Sequence, residues 1–375
     1  MIGLRVARHK QMFAQRRPDR RRFLGMAALS LGAAWIGTRS SVMQMLTAKP
    51  FRPSSASDLA SLGGATAWLN STPLTATDLR GKVVLVDFCT YTCINWLRTL
   101  PYVRAWAAGY RERGLVVIGV HTPEFTFEED IDNVRRAVQA RGVTYPIAID
   151  NNRAIWNGFG NQYWPALYFI DATGRVRDHH FGEGNYEESE RRIRQLLAAA
   201  GRGGEPNRES VSIEARGPEV GADWRSLKSP ETYTGHQKAE NFVSPGGATL
   251  NRRRAYSIPR GLRLNQWALS GEWTMKTEAA VLNAAGGRIA FRFHARDLHL
   301  IMGPSERRGT VGFRVLIDGQ PPGGGHGSDV EDSGKGTVTE RRLYQLIRQS
   351  GPIADRQFEI EFLDSGVDAF AFTFG

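Results

Sequence analysis

The sequence predicts a two-domain protein in which an α/β domain with a partly parallel sheet precedes an all-β domain. Residues 65–200 alternate strand-like apolar runs with helical stretches, residues 201–210 are rich in glycine and polar residues, and residues 220–375 contain short alternating runs separated by Gly, Pro and Asp. With 375 residues, 41% of them hydrophobic, the chain is long enough for two domains and a leader.

The elements of the α/β domain follow in a regular order after a tether over residues 50–64. A linker over residues 201–219 precedes the β domain of residues 220–375. Candidate strands are KVVLVDF, LVVIGVH, YPIAID, ALYFID and RVRDHHF, and candidate helices are INWLRTLPYVRAWAAGYRERG, FEEDIDNVRRAVQARG and a charged segment from Glu187 to Ala200.

The net charge of +11 is concentrated in the first fifty residues. Residues 1–50 hold ten basic side chains and one acidic side chain, so the rest of the chain carries only +2. A body this close to neutral has no basic footprint for phosphate groups, and we therefore expect no nucleic-acid partner.

The basic cluster precedes an apolar stretch, which is the order of an export signal. The run RRRFL at residues 20–24 is followed by GMAALSLGAAWIG, and it resembles a twin-arginine signal. The resemblance implies that residues 1–49 are a signal or anchor and that the protein is periplasmic or otherwise extracytoplasmic. A basic helix on a membrane surface is one alternative. An uncleaved membrane anchor is another, because no clear Ala-x-Ala cleavage site follows.

The sequence has two cysteines, Cys89 and Cys93, at the junction between the first buried strand and the next helix. Backbone N–H groups and the helix dipole at this position favour a thiolate at Cys93. A disulfide across three residues closes a small loop and removes little chain entropy, which argues against a purely structural clip. In an oxidising compartment such a bond persists. A redox pair, a structural clip and half of a metal site are the interpretations to be weighed.

The segment KVVLVDFCTYTCINWLRTLP is similar to the active-site segment of the thioredoxin superfamily, and most to the exported TlpA, ResA and DipZ type. Those proteins have a strand, a short turn, Cys-x-x-Cys and a helix with a Pro five residues after the second Cys. Pro101 lies five residues after Trp96 and fixes the register. The resemblance implies a thioredoxin fold over residues 65–200 and makes Cys93 the attacking cysteine. Trp96 then stands at the resolving position, and Cys89 where the family usually has Trp.

The implied function is an exported thiol-disulfide oxidoreductase that uses a Cys-x-x-x-Cys pair. Cys93 attacks a substrate disulfide and Cys89 resolves the mixed disulfide, or Cys93 acts as a single thiol. Any internal disulfide of this sequence is then Cys89–Cys93. The implied partners are protein thiols or disulfides and an unidentified electron donor, and no cofactor is expected.

Two further stretches extend the resemblance. In IGVHTPEF, Glu124 matches an acidic residue that relays protons near the thiol, with a solvated loop residue as the alternative. In YWPALYFIDATGRV, Pro165 matches a cis-proline opposite the active site, with an ordinary trans proline as the alternative. On this resemblance Trp164 and Trp96 line the substrate groove.

A copper site is an alternative function for the cysteine pair. Cys-x-x-x-Cys after a strand also resembles the Sco-type copper chaperones, in which two thiolates and a distant His bind copper. The copper ligands would be Cys89, Cys93 and His121, with His179 and His180 as other candidates. The Pro-Asp-x-Cys-Pro surroundings of that family are missing.

A thiol peroxidase is a second alternative. The run TYTC at residues 90–93 resembles the Thr-x-x-Cys of the peroxiredoxins and would make Cys93 a peroxide-reacting thiolate. The Pro that begins that motif is replaced by Val86.

Residues 220–375 resemble the domain that follows the thioredoxin-like module in DipZ-type proteins, which implies a jelly-roll-like sandwich similar to carbohydrate-binding modules. Trp267, Trp273, Tyr233 and Tyr344 are candidates for an aromatic platform that binds a glycan or a protein, or they fill the sandwich core. Because no carboxylate pair has a hydrolase context, we predict no catalysis by this domain. A non-catalytic sugar- or protein-binding scaffold is the last alternative for the chain.

Overall fold

The computed structural model describes residues 59–202, 211–306 and 309–375. The predicted signal or anchor, residues 1–49, lies outside the described residues, as does most of the predicted tether. Within the described ranges, each helix is too short or too polar to span a bilayer.

The first domain is built around a mixed sheet, as predicted, with Ala67–Leu69 as a sixth strand beyond the five candidate strands. Its strands are β1 (Ala67–Leu69), β2 (Val83–Cys89), β3 (Leu115–His121), β4 (Ile147–Ile149), β5 (Ala166–Ile170) and β6 (Val176–Phe181). The strand order is β1-β4-β3-β2-β5-β6. Strands β2, β3 and β4 are parallel, whereas β1, β5 and β6 run antiparallel to their neighbours.

Helices cover both faces of this sheet. They are α1 (Ile94–Gly109), α2 (Ile131–Ala140), α3 (Ala154–Gly158) and α4 (Tyr186–Ala199). Strand β2 is buried along its whole length, as expected for a central strand with a core on each face. One core contains α1, α2 and α4, and the other contains α3 and the 3-10 turn Leu59–Gly64. Strand β2 ends at Cys89 and α1 begins at Ile94, so the carboxyl end of the strand lies next to the amino end of the helix.

The second domain is an antiparallel β structure that curls into two packed layers. Its strands are β7 (Thr232–Tyr233), β8 (Arg253–Tyr256), β9 (Trp267–Met275), β10 (Ala280–Leu282), β11 (Arg288–Phe293), β12 (Asp297–Pro304), β13 (Val311–Ile317), β14 (Lys335–Val338), β15 (Arg342–Arg348), β16 (Arg356–Phe362) and β17 (Val367–Phe374). The main path is β14-β13-β16-β11-β9-β10-β17-β12-β15, with β7 on β17 and β8 on β9.

Strand β9 belongs to both layers and bends at Gly271. Residues before the bend pair with β11, and residues from Gly271 onward pair with β8 and β10. Gly271 has a φ of +89°, and a Cβ there would lie 2.9 Å from the Cα of Gly287. Only glycine satisfies both the backbone angle and this close approach.

The aromatic residues proposed for a platform fill the core instead. Trp267, Trp273 and Tyr344 are fully buried, so their faces are closed to a sugar or a partner chain. Each places its polar atom on a backbone carbonyl, as buried Trp and Tyr require. Tyr233 is the exception, since it lies half-buried at the junction with the first domain.

The two domains pack through an apolar junction that contains buried polar contacts. Phe370 of β17 contacts Phe127 and Phe125, with ring centroids 4.5 Å and 5.4 Å away. Arg98 of α1 is 2% exposed, pairs with Glu183 at 3.1 Å and donates to the Phe374 carbonyl at 3.0 Å. This junction fixes the second domain against the amino end of α1.

Candidate functional site

The site is centred on Cys93, which is the N-cap residue of α1. Strand β2 ends at Cys89, and the Cys93 N–H closes the turn by donating to the Thr90 carbonyl at 3.1 Å. The Cys93 thiol is half-buried and lies 3.9 Å from the Trp164 carbonyl oxygen, to which it donates. The turn thus aims the Cys93 sulfur at the start of β5.

A cavity of about 400 Å³ opens at Cys93 between the two domains. The first domain supplies Arg98 and the peptide around Tyr163 to its wall, and the second domain supplies Leu227 and Phe374. The residues that give the cavity its chemistry are Cys93, Glu124, Trp164, Trp224, Glu231 and Tyr233.

The pKa of Cys93 is raised above its ordinary value. Burial is the main cause, the backbone N–H of Trp96 opposes it, and the charges of Glu231 and Glu124 raise the pKa further. The expected preference for a thiolate is therefore overturned in this state, because burial and two carboxylates outweigh the helix terminus. Cys93 therefore holds its proton more tightly here than an ordinary cysteine does.

Cys89 occupies a more enclosed position than Cys93. It is 2% exposed, and its thiol donates to the Val120 carbonyl at 3.5 Å. Burial and the charge of Asp87 raise its pKa well above the ordinary value. Both cysteines are free thiols in this structure, and the Cys89–Cys93 disulfide stays a prediction.

Trp96 does not line the substrate groove, contrary to the prediction. It is 3% exposed because α1 turns it inward, and its Nε1 donates to Asp87 Oδ2 at 3.0 Å. Asp87, in the middle of β2, was missed by the sequence analysis. Burial raises its pKa to about 7. The signal for it was a single acid inside an otherwise apolar strand.

Glu128 is a second buried acid that the sequence analysis missed. Its Oε1 accepts from Thr92 Oγ1 at 2.6 Å, and its Oε2 accepts from the backbone N–H groups of Glu124 and Phe125 at 2.7 Å and 3.0 Å. The side chain is fully buried, and burial raises its pKa. Glu128 thereby links the Cys93 turn to the loop that carries Glu124.

The structure places Glu124 and Trp164 in the wall of the Cys93 cavity, and Pro165 follows Trp164. Glu124 lines the Cys93 cavity, and its Oε1 accepts from Tyr233 OH at 2.5 Å. The Trp164–Pro165 peptide bond is cis. The Trp164 indole donates to the Thr122 carbonyl at 3.1 Å, which holds its ring in the cavity wall.

The histidines proposed as copper ligands lie on two different strands of the sheet. His121 pairs with Cys89 in the β2–β3 register and is buried, and burial lowers its pKa to about 3. His179 and His180 lie in β6, which β5 separates from β2. Among residues 59–202, 211–306 and 309–375, no three or more His, Cys, Asp or Glu side chains form a group able to hold a metal ion.

Comparison with known proteins identifies relatives of both domains. The AhpC/TSA family profile matches residues 65–179, and that of the thioredoxin-like C-terminal domain matches residues 229–375. The chain is 37% identical over 318 residues to Protein DipZ of Mycobacterium bovis, which covers 84% of this chain and 42% of that protein. The chain thus spans less than half the length of the DipZ relatives it matches.

Smaller relatives match the first domain. Thiol-disulfide oxidoreductase YkuV of Bacillus subtilis is 30% identical over 138 residues, covering 36% of this chain and 92% of that protein. The solution structure of a thioredoxin-like protein in the oxidized form is 30% identical, with a TM-score of 0.34, and covers 36% of this chain and 90% of that chain. On its matches to DipZ and YkuV and to both family profiles, this chain belongs to the thioredoxin-like redoxins of the thiol-disulfide oxidoreductase family, with a thioredoxin-like C-terminal domain.

Proposed function

We propose that this protein exchanges disulfides with polypeptide substrates, with Cys93 as the attacking thiol and Cys89 as the resolving thiol. The observation that carries the proposal is the half-buried Cys93 thiol, which faces the Trp164 carbonyl inside a cavity large enough for a peptide segment. The name of the relative YkuV, a thiol-disulfide oxidoreductase, supports the same class of reaction.

The proposed reaction has two thiol exchanges. Cys93 loses its proton and attacks one sulfur of the substrate disulfide, so that the substrate S–S bond breaks, one half leaves as a thiol and the other half stays bound to Cys93. Cys89 then attacks the Cys93 sulfur, which releases the second half and leaves a Cys89–Cys93 disulfide. Two electrons pass to the substrate, and a dithiol donor restores the protein. The reverse sequence oxidises a substrate dithiol.

The different exposure of the two sulfurs supports this division of roles. Cys89 is buried at the end of β2, so a polypeptide disulfide does not reach it. Cys93 opens onto the cavity. Cys89 therefore acts only on a mixed disulfide already formed at Cys93.

Reduction of insulin and of glutathione disulfide by the full chain, with dithiothreitol as electron donor, tests the proposal. We expect Cys93→Ser to abolish the reaction and Cys89→Ser to accumulate a mixed disulfide with the substrate, detected by mass spectrometry. The variant that lacks both thiols is the control for nonspecific reduction. A Cys89→Ser chain as active as wild type would exclude the resolving role and leave Cys93 as a single thiol.

A wild-type chain that neither reduces these disulfides nor oxidises a substrate dithiol would exclude the oxidoreductase function. The next measurements are then peroxide consumption and copper stoichiometry after reconstitution, which address the peroxidase and copper alternatives. A chain inactive in all three would be a binding scaffold. Glycan binding by the β domain stays a prediction, without the aromatic platform.

We further propose that the protein works outside the cytoplasm. The support is the RRRFL run and the apolar stretch after it, and a disulfide persists in such a compartment. Fusing residues 1–49 to a reporter that must fold before transport tests this, with Arg20→Lys plus Arg21→Lys as the control that removes export.

A further inference from the structure

The wall that the β domain presents to Cys93 contains a titratable cluster that the sequence analysis did not predict. Glu231 and Tyr233 both line the cavity, and Thr232 between them is buried. Alternate residues of a strand face the same way, and β7 pairs Tyr233 with Ala371 of β17. The sheet therefore holds Tyr233 on the face toward the first domain, and Glu231, the residue before β7, lines the same cavity.

The hydrogen bonds in this cluster depend on a single phenolic proton. Tyr233 OH lies 2.5 Å from Glu124 Oε1 and 3.2 Å from Glu231 Oε2. A phenol has one proton to donate, and the shorter contact assigns it to Glu124. Lys238 Nζ, at 3.2 Å from the same Glu124 oxygen, balances the charge of Glu124. While the phenolic proton lies toward Glu124, the contact to Glu231 is a hydrogen bond only if Glu231 is protonated, and Tyr233 donates to an ionised Glu231 only when its O–H turns away from Glu124.

The electrostatics of the cavity also single out Glu231 as a group that titrates. The pKa of Glu231 is raised to about 7: desolvation by the surrounding cavity wall is the main cause and the charge of Glu124 adds to it, whereas the contact with Tyr233 and the charge of Lys238 lower it. Glu231 is nonetheless an exposed residue, so solvent reaches the part of the cavity wall that it forms.

The same carboxylate acts on the reactive thiol. Of the neighbouring charges that raise the pKa of Cys93, that of Glu231 is the largest and that of Glu124 is next. The other charged group on the cavity wall, Arg98, is engaged by Glu183 and the Phe374 carbonyl. An ionised Glu231 therefore disfavours the Cys93 thiolate through charge repulsion. When one of the two groups carries a proton, this repulsion is absent.

We propose that Glu231 is the general base and acid for Cys93, so that the C-terminal β domain completes the active site. This inference rests on the proposed disulfide exchange. The Cys93 S–H bond breaks as its proton passes to a Glu231 carboxylate oxygen, and the Cys93 sulfur forms a bond to one substrate sulfur. The substrate S–S bond breaks with its electron pair on the departing sulfur. Glu231 returns the proton to that sulfur, which leaves as a neutral thiol.

The first test is the pH dependence of kcat/KM for insulin reduction by the full chain, between about pH 5.5 and 9. Wild type is expected to gain activity as pH rises through about 7, because only the ionised Glu231 accepts the proton. Glu231→Gln is expected to lose this inflection and about 10²-fold in rate. Glu231→Asp retains a carboxylate and is expected to keep the inflection at a reduced rate.

Glu278→Gln is the matched control. Glu278 is another carboxylate at the domain junction, where it accepts from Thr126 N at 3.1 Å and Thr126 Oγ1 at 2.9 Å. It lies outside the wall of the Cys93 cavity. Its pH profile is expected to match that of wild type.

Alkylation of Cys93 by iodoacetamide, in a Cys89→Ser background, separates base catalysis from a change in thiol reactivity. Removing the charge of Glu231 lowers the pKa of Cys93, so alkylation near neutral pH is expected to become faster while disulfide exchange becomes slower. Misfolding does not produce this opposite pair of changes.

Two results would overturn the inference and are distinct from each other. An active wild type whose inflection near pH 7 survives in Glu231→Gln, or whose exchange accelerates in step with alkylation, leaves Glu231 as an electrostatic neighbour only. A wild-type chain that reduces no disulfide overturns the proposed function itself.

Discussion

The two domains contribute to one cavity in different ways. In the first domain the site residues stand next to the ends of buried strands, with Cys93 after β2 and Pro165 before β5. In the second domain the long strands bury their aromatic residues in a core, and Tyr233 of the short strand β7 lines the cavity together with the preceding Glu231. The position of the Cys93 thiol thus follows from a local sequence pattern, whereas its pKa depends on packing between the domains.

The largest expected effect is on the junction that holds the domains together. Arg98→Met removes the cation and leaves Glu183 buried without its partner, and the Phe374 carbonyl loses its donor. Breaking one side of a buried pair costs about 3–5 kcal/mol, and we expect that loss in the free energy of unfolding measured with urea. Arg216→Met is the control, because its pair with Glu214 is exposed and is expected to change stability by less than ~0.5 kcal/mol. Equal losses in both variants would contradict a special role for the junction.

The next largest effect is expected from Asp87, the buried acid of strand β2. Asp87 has an ordinary pKa of 3.8 that burial raises to about 7, so the folded state keeps a proton that the unfolded state releases. The free energy of unfolding of wild type is therefore expected to fall as pH rises from about 4 to about 7. Asp87→Asn keeps an acceptor for Trp96 and does not titrate, so its advantage over wild type grows across this range, by on the order of a few kcal/mol.

The exposed Asp332 serves as the control for this comparison. Asp332→Asn is expected to follow the pH dependence of wild type. Parallel curves for wild type and Asp87→Asn between about pH 4 and 7 would show that the pKa of Asp87 is not raised.

A smaller effect is expected at the link between the Cys93 turn and the Glu124 loop. Thr92→Val removes the hydroxyl that donates to the buried Glu128 carboxylate at 2.6 Å, and the loss of a bond to a buried acceptor costs about 1–3 kcal/mol. Thr92→Ser keeps the hydroxyl and is the matched control. Thermal unfolding measures the difference, and a Val variant as stable as the Ser variant would show that the link is energetically neutral.

The smallest effect concerns Trp224, which the β domain contributes to the wall of the Cys93 cavity. Trp224 is 62% exposed and lines the cavity, so covering it with an apolar substrate segment contributes about 1 kcal/mol. Trp224→Ala is expected to raise KM for insulin about fivefold, with kcat and thermal stability unchanged. Leu363→Ala, also exposed but outside the cavity, is the control. An unchanged KM would place the substrate on the first domain alone.

Much of the first domain was predictable from sequence because its signals are local. The apolar run of β2 predicted a central strand, and the cysteines at its end predicted the strand-helix junction that the structure contains. The outward placement of Trp96 was wrong because the register along α1 does not reveal that Asp87 lies within hydrogen-bond reach. The four candidate platform aromatics were ambiguous for a similar reason, since strand alternation does not tell which layer covers which face.

The sequence by itself determined the two domain types, the position of Cys93 at the start of a helix, and the proline that precedes β5, because each depends on neighbouring residues and backbone preference. Only the tertiary structure decided how the thiol titrates. Glu124 and Tyr233 are 109 residues apart in the chain and meet across the domain junction. Burial and charge act through space, so the pKa of Cys93 was set by residues that no local pattern connects to it.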